Sequence, residues 1–324
     1  MCPDCLAVFD VTDLMEPGFG VHQENLVCPV THDPTIGDPV TQVLHPASET
    51  LYWYWIAERH NIYLNRQRGR PKPWSTDPIF QKYKFVNVFR RLDRTTDWLI
   101  KNFLEPHKDD DPSLIAFNIC WFRMFSRWQT GASVGWLEGW DQEKMTRKLN
   151  GLITPFTGAY IIHSEPGMNK VESISEACSD LEHMCFVGNA LKTSVEEDRS
   201  MEVVWKGLQQ VRHVGPFMAY QMVLDMMYVP SLLANAVDRN TWTCTGPGAL
   251  RGLRRLDAAA MPKDSLQRMR DLQARSAECL AEIGAFHVPA LDIHDIEFAL
   301  CELDKYSRVL YGEGKPRSTY PGAA

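Results

Sequence analysis

A chain of 324 residues with 44% hydrophobic and 23% charged residues can bury one large core or two closely packed domains. It has no apolar run near the roughly 18 residues of a membrane span and no basic-then-apolar leader, and its nine scattered cysteines make a poor disulfide framework; we therefore expect a soluble, cytoplasmic chain with no membrane partner. A net charge of -7 argues against a broadly cationic nucleic-acid binder, yet between Arg59 and Lys101 eleven Lys or Arg stand against Asp77, Asp93 and Asp97, which suggests a localised anion site on an acidic body.

Residues 1–46 are rich in Pro, Gly, Asp and Thr and lack a sustained period, so they are expected to form an irregular segment ahead of a helical domain at 47–324. Within that segment Cys2, Cys5, Cys28 and His32 have a spacing that can hold a structural zinc; no other cofactor is expected. Ser48 caps a helix predicted over 49–67, ended by Arg68-Gly69-Arg70-Pro71. Asp77-Pro78 starts a second one predicted to run to Phe103. Its apolar stripe is Phe85, Val88, Phe89, Leu92, Leu99 and Phe103, and Asn87, Arg90, Arg91 and Arg94 lie away from it. On such a helix Arg90 and Arg94 are one turn apart and can converge on one anion, or pair with Asp93 and Asp97.

Further helices are predicted from Asp111-Pro112 to Trp128 and over 172–185, 195–211, 216–228, 263–283 and 292–310. Irregular Gly-rich connections are predicted at 130–139 and 245–252, and the class is all-α. Leu208 to Asp225 reads as helix, tight hairpin, helix; its likeness to the DNA-binding hairpin of DNA glycosylases implies that Arg212, His213, Gly215 and the nearby Arg239 face a DNA phosphate. An ordinary helical connection fits as well. In the last helix Glu302 with Lys305 and Asp304 with Arg308 have ion-pair spacing.

The hairpin resembles the helix-hairpin-helix of DNA glycosylases, whose essential Asp follows roughly twenty residues later; Asp238 lies 23 residues after Gly215. The match is imperfect, because His213 stands where the first hairpin Gly usually does. Phe217 replaces the lyase-type Lys and excludes Schiff-base chemistry there. Four further stretches, Tyr52 to Tyr63, Pro73 to Pro78, Tyr83 to Arg94 and Asp295 to Tyr306, together resemble the alpha-glutamyl/putrescinyl thymine pyrophosphorylase family of amino acid:DNA transferases. That family shares its helical domain with bacteriophage 5-hydroxymethyluracil DNA kinases. No G-x-x-x-x-G-K-[ST] phosphate loop occurs in the chain.

The resemblance implies a helix-hairpin-helix glycosylase-like domain acting on DNA that carries pyrophosphorylated 5-hydroxymethyluracil. An amino acid or polyamine attacks the base methyl carbon and pyrophosphate leaves. Arg59, Arg90 and Arg94 suit the leaving anion, and Asp238 or Glu58 the amine proton. His60, Asn87, Asp93, Glu297, Glu302 and Lys305 are expected to bind substrate. Trp53, Trp55 and Trp74 can stack a flipped base, although burial in a core is the commoner fate of Trp. A monofunctional glycosylase using Asp238, and a non-enzymatic binder of modified DNA, are the competing readings.

Overall fold

The structure, a computed structural model, describes residues 46–158, 164, 167–187 and 199–320. The irregular segment, except Pro46, and all four candidate zinc ligands lie outside the described residues. Among the described residues the regular elements are helical, and the only extended pairing is an isolated antiparallel bridge between Tyr83 and Thr319. The chain divides into two compact units, one formed by residues up to Arg90 and from Thr245 onward, the other by Arg91–Cys244.

In the first unit, α1 (Glu49–Gln67) begins where the Ser48 hydroxyl accepts from the Leu51 amide, as the sequence predicts. Its Tyr52, Trp55 and Ile56 are fully buried, and Trp53 is nearly so, which makes these two tryptophans core residues rather than a base-stacking platform. Asp77 caps the short α2 (Pro78–Lys82) through the amides of Ile79 and Phe80. Three longer helices complete the unit: α3 (Pro247–Leu256), α4 (Ser265–Glu282) and α5 (Ile293–Leu310).

The predicted loop at 245–252 is therefore a helix start. Its glycines mislead as local breakers because they serve packing. A Cβ on Gly252 would lie 2.1 Å from the Leu300 carbonyl oxygen, and one on Gly248 would lie 2.4 Å from Cys301 Sγ. The close crossing of α3 and α5 offsets the roughly 1 kcal/mol that Gly costs in a helix. Arg255, fully buried on α3, is paired with Asp304 and Glu313.

The second predicted helix is the larger departure. After Lys82 the chain is extended, with Tyr83 and Phe85 buried and Lys84 and Val86 exposed. Its polar groups find partners far along the chain: the Lys84 amide donates to the Ser318 carbonyl and the Val86 amide to Glu302. A 3-10 turn, Arg90–Leu92, and an extended Asp93 then precede the next helix. Arg90 and Arg94 thus do not share a helical turn. The apolar spacing suited a helix, and long-range partners selected a strand-like path instead.

The second unit contains α6 (Arg94–Leu99), continued by a π-helical turn over Ile100–Leu104, then α7 (Pro112–Phe125), α8 (Trp128–Val134), α9 (Gln142–Asn150), α10 (Lys170–Glu182), α11 (Met201–Leu208) and α12 (Pro216–Met226). Helix α7 ends three residues early because Ser126 turns left-handed, at φ 46°. Helix α8 occupies part of the predicted loop at 130–139. From Ile115 to Phe125 every residue of α7 is buried, and Arg123 pairs there with the fully buried Asp225 of α12. Such a pair is expensive to break from one side, since a lone buried charge is left behind.

Candidate functional site

The first unit brings several sequence candidates around one segment, Phe85 to Arg90, which is extended at its start and bends into a 3-10 turn at Arg90. The Arg59 guanidinium of α1 donates from Nε to the Phe85 carbonyl at 3.3 Å, and Glu302 of α5 accepts the Val86 amide at 3.2 Å. The segment, with Asn87 and Arg90, is therefore held between two helices. The Arg90 guanidinium carbon lies 5.9 Å from the Phe298 ring centroid on α5, and Arg90 is buried beside Glu297. His60 packs edge-on to Phe89 at 5.1 Å and stacks with Tyr63 and with His287 of the α4–α5 connection. Lys305 pairs with Glu302 at 3.0 Å and stands 4.7 Å over the Phe85 ring. Asp304 and Arg308 meet at 3.4 Å, so both predicted ion pairs of this helix are present.

Burial sets the electrostatics. It pushes the Glu297 carboxyl up to about 8, against the Gly246 backbone and the Arg90 charge, which both pull it down. The neighbouring Asp295 is also raised to about 8 by burial, although its carboxylate accepts the Asp292 amide. Burial drives the His60 imidazole down to about 4, helped by His287 and Arg59, so it is neutral at pH 7. A buried carboxyl that exchanges its proton near neutrality, beside an Arg, is an arrangement able to take part in proton transfer.

Other candidates are placed elsewhere. Glu58 lies among Asn61, Ser75 and Asp77; burial raises its carboxyl, and hydrogen bonds from Ser75 and Asn61 oppose the rise. Arg94, exposed, stands 5.6 Å over the Trp128 ring, and Asp93 precedes α6. In the second unit both oxygens of Asp238 are occupied at the start of α11. They accept the Ser200 hydroxyl at 2.7 Å and the amides of Met201 and Glu202 at 2.7 and 3.0 Å. The hairpin lies at the other end of α11, whose eight residues span about 12 Å.

In the hairpin itself, Arg212 is bound by Glu176 and Asp180 of α10. The left-handed residue is His213, at φ 63°, while Gly215 is extended ahead of α12. A positive φ at 213 explains why a glycine suits that position. Arg239 donates to the Ala234 carbonyl within its own loop. Sequence reasoning missed Phe298, His287 and the Gly246 backbone as neighbours of the candidate cluster. Only Phe298 lies in a quoted motif, and nothing local marks the other two.

A family model described as the helical domain of 5-hmdU DNA kinase matches residues 47–315. The chain belongs to this family. The matched range contains both units up to the C-terminal tail. A curated relative, the 5-hmdU DNA kinase of Bacillus phage SP10, is 28% identical over 226 residues, covering 63% of the chain and 35% of that protein. The chain thus spans about a third of the length of the curated relative it matches. No solved structure matches it. Among the described residues no helix is long and apolar enough to cross a membrane.

Proposed function

We propose that the chain is a DNA-modifying transferase, which joins an amine to the methyl carbon of pyrophosphorylated 5-hydroxymethyluracil in DNA. Membership of a family named for a 5-hmdU DNA kinase supports modified thymine DNA as the substrate class. The four stretches that resemble the alpha-glutamyl/putrescinyl thymine pyrophosphorylase family, Tyr52 to Tyr63, Pro73 to Pro78, Tyr83 to Arg94 and Asp295 to Tyr306, support a step that consumes the pyrophosphorylated base. The observation that carries the reading is the buried group of Arg59, Arg90 and Glu297 around the segment between α1 and α5.

In this reading the amine nitrogen forms a bond to the methylene carbon. The carbon–oxygen bond to pyrophosphate breaks, and its electron pair leaves on the pyrophosphate oxygen. Arg59 and Arg90 stabilise that growing charge, and Glu297, in its ionised form, takes the proton released by nitrogen. Glu297 takes the role first given to Asp238 or Glu58, because the oxygens of Asp238 are already committed to α11. Asn87 of the segment and His60 packed beside it, both buried, are assigned to orienting the base.

The test is to incubate the chain with pyrophosphorylated DNA and a panel of amino acids and polyamines, then to digest the DNA and weigh the nucleosides. An amine-adduct nucleoside with stoichiometric pyrophosphate release is expected, and Arg90→Gln should cut turnover by about 100-fold or more. Abasic sites instead of adducts would establish a glycosylase. Tight binding with neither product would establish a binding module.

A further inference from the structure

The first unit carries a cationic strip that the buried cluster does not use. Between Arg59 and Leu92 the only carboxylate is Asp77, and it is fully buried, taken up by Tyr54, Tyr306 and the amides of α2. Arg66 and Lys72 both lean on Trp74, with the guanidinium carbon 5.1 Å and the Nζ 5.0 Å from its ring. Lys72 also lies 5.2 Å from the Tyr320 ring, and Lys84 approaches that ring at 5.6 Å. The order along the strip is thus Arg66, Trp74, Lys72, Tyr320, Lys84.

The Trp74 ring and the Tyr320 backbone are each tied to the chain by hydrogen bonds. Trp74 donates from Nε1 to the Arg70 carbonyl at 2.8 Å, and its own carbonyl accepts from Asn65 at 3.0 Å. The Tyr320 amide donates to the Lys82 carbonyl at 3.0 Å, beside the Tyr83–Thr319 bridge. Arg66, Lys72 and Lys84 are exposed, and no carboxylate of a described residue pairs with them.

Two cations drawn to one ring repel each other, and here that occurs twice in succession on a chain of net charge -7. A row of anions at spaced positions relieves the repulsion. We propose that this strip holds the sugar–phosphate backbone of duplex DNA, with the rings fixing where the cations stand. The inference rests on DNA being the substrate. It differs from the expectation that the hairpin holds the phosphate, since Arg212 is already bound by Glu176 and Asp180. Contacts of this kind carry no sequence information, so unmodified duplex is a sufficient probe.

The test is fluorescence anisotropy of the full chain with a labelled unmodified duplex across a salt series. Each lost phosphate contact should flatten the slope of log K against log salt by about 0.9. The triple variant Arg66→Gln, Lys72→Gln, Lys84→Gln should therefore flatten it by about 2 to 3 and weaken binding at least about 10-fold near 0.1 M salt. A variant carrying Lys72→Arg and Lys84→Arg, which keeps the charge, should retain the wild-type slope. Wild-type slope and affinity in the triple variant would overturn the proposal. So would wild-type protein that binds phosphatidylserine vesicles and not the duplex.

The two readings fail separately. If the triple variant loses duplex binding but the wild type yields no amine adduct, the transfer reading falls and the surface stands. If the wild type yields adducts and the triple variant binds as before, the reverse holds.

Discussion

Glu297 is placed where charge is costly: burial raises its proton affinity from 4.5 to about 8, although Arg90 opposes the rise. The unfolded chain releases this proton near 4.5 and the folded chain near 8, so between these values the folded state holds more protons and stability falls as pH rises. Glu297→Gln can still accept a hydrogen bond at its side-chain carbonyl, while removing the titration. It should gain up to about 5 kcal/mol at pH 9 and less than about 1 kcal/mol at pH 5, as urea melts at the two values would report. The same variant should lose transfer at every pH. A Glu297→Gln protein with wild-type turnover would remove this carboxyl from the chemistry. His213 is a second residue whose backbone decides its cost, because its φ of 63° is one that glycine adopts freely. His213→Gly should be neutral or stabilising by up to about 1 kcal/mol, whereas His213→Val should be clearly destabilising in thermal melts.

At the scale of elements, the α3–α5 crossing depends on two absent side chains. Gly252→Ala places a methyl against backbone that cannot move aside cheaply, and a loss of about 2 kcal/mol or more is expected. Gly248→Ala meets the end of a side chain instead, so Cys301→Ala should rescue much of its effect; a double-mutant cycle measures the coupling. Helix α11 shows a different dependence. Its first amides are satisfied by Asp238 from a distant loop, and Asp238→Asn substitutes a donor for one of two acceptor oxygens. The expected loss is about 1–2 kcal/mol of stability. Turnover that disappears in Asp238→Asn while the melt is unchanged would restore Asp238 to the reaction.

The whole molecule combines two separately cored units with an uneven charge distribution. Asp295 and Glu297 are both raised to about 8 by burial at the start of α5. Each contributes stability that is fully present below its unfolded value, 3.8 or 4.5, and is lost as pH rises toward 8. His60, held down to about 4 from 6.5, acts in the opposite sense below about pH 6.5, so the fall in urea midpoint should be clearest between about pH 6.5 and 8, and the midpoint should change little from these groups above that range. The double variant Asp295→Asn, Glu297→Gln should flatten this dependence, and a wild type whose midpoint rises from pH 6.5 to 8 would contradict it.

What the sequence determined by itself is what depends on near neighbours. The caps at Ser48, Asp77 and Asp111 place helix starts correctly, because an acceptor two or three residues before free amides acts within one turn. The ion pairs of α5 follow from i,i+3 and i,i+4 spacing, and the basic excess of residues 59–101 was visible as composition. The motifs that supplied Arg59, Asn87, Arg90 and Glu297 lie far apart in the chain, and the fold brings them to one segment. Tertiary structure alone decided that 83–87 is extended, that two glycines belong inside a helix crossing, and that Asp238 and Arg212 are held by other parts of the chain. In each case the partner is a group distant in sequence. No local period or propensity encodes where such a partner will stand, so competition for it is settled only when the chain has closed upon itself.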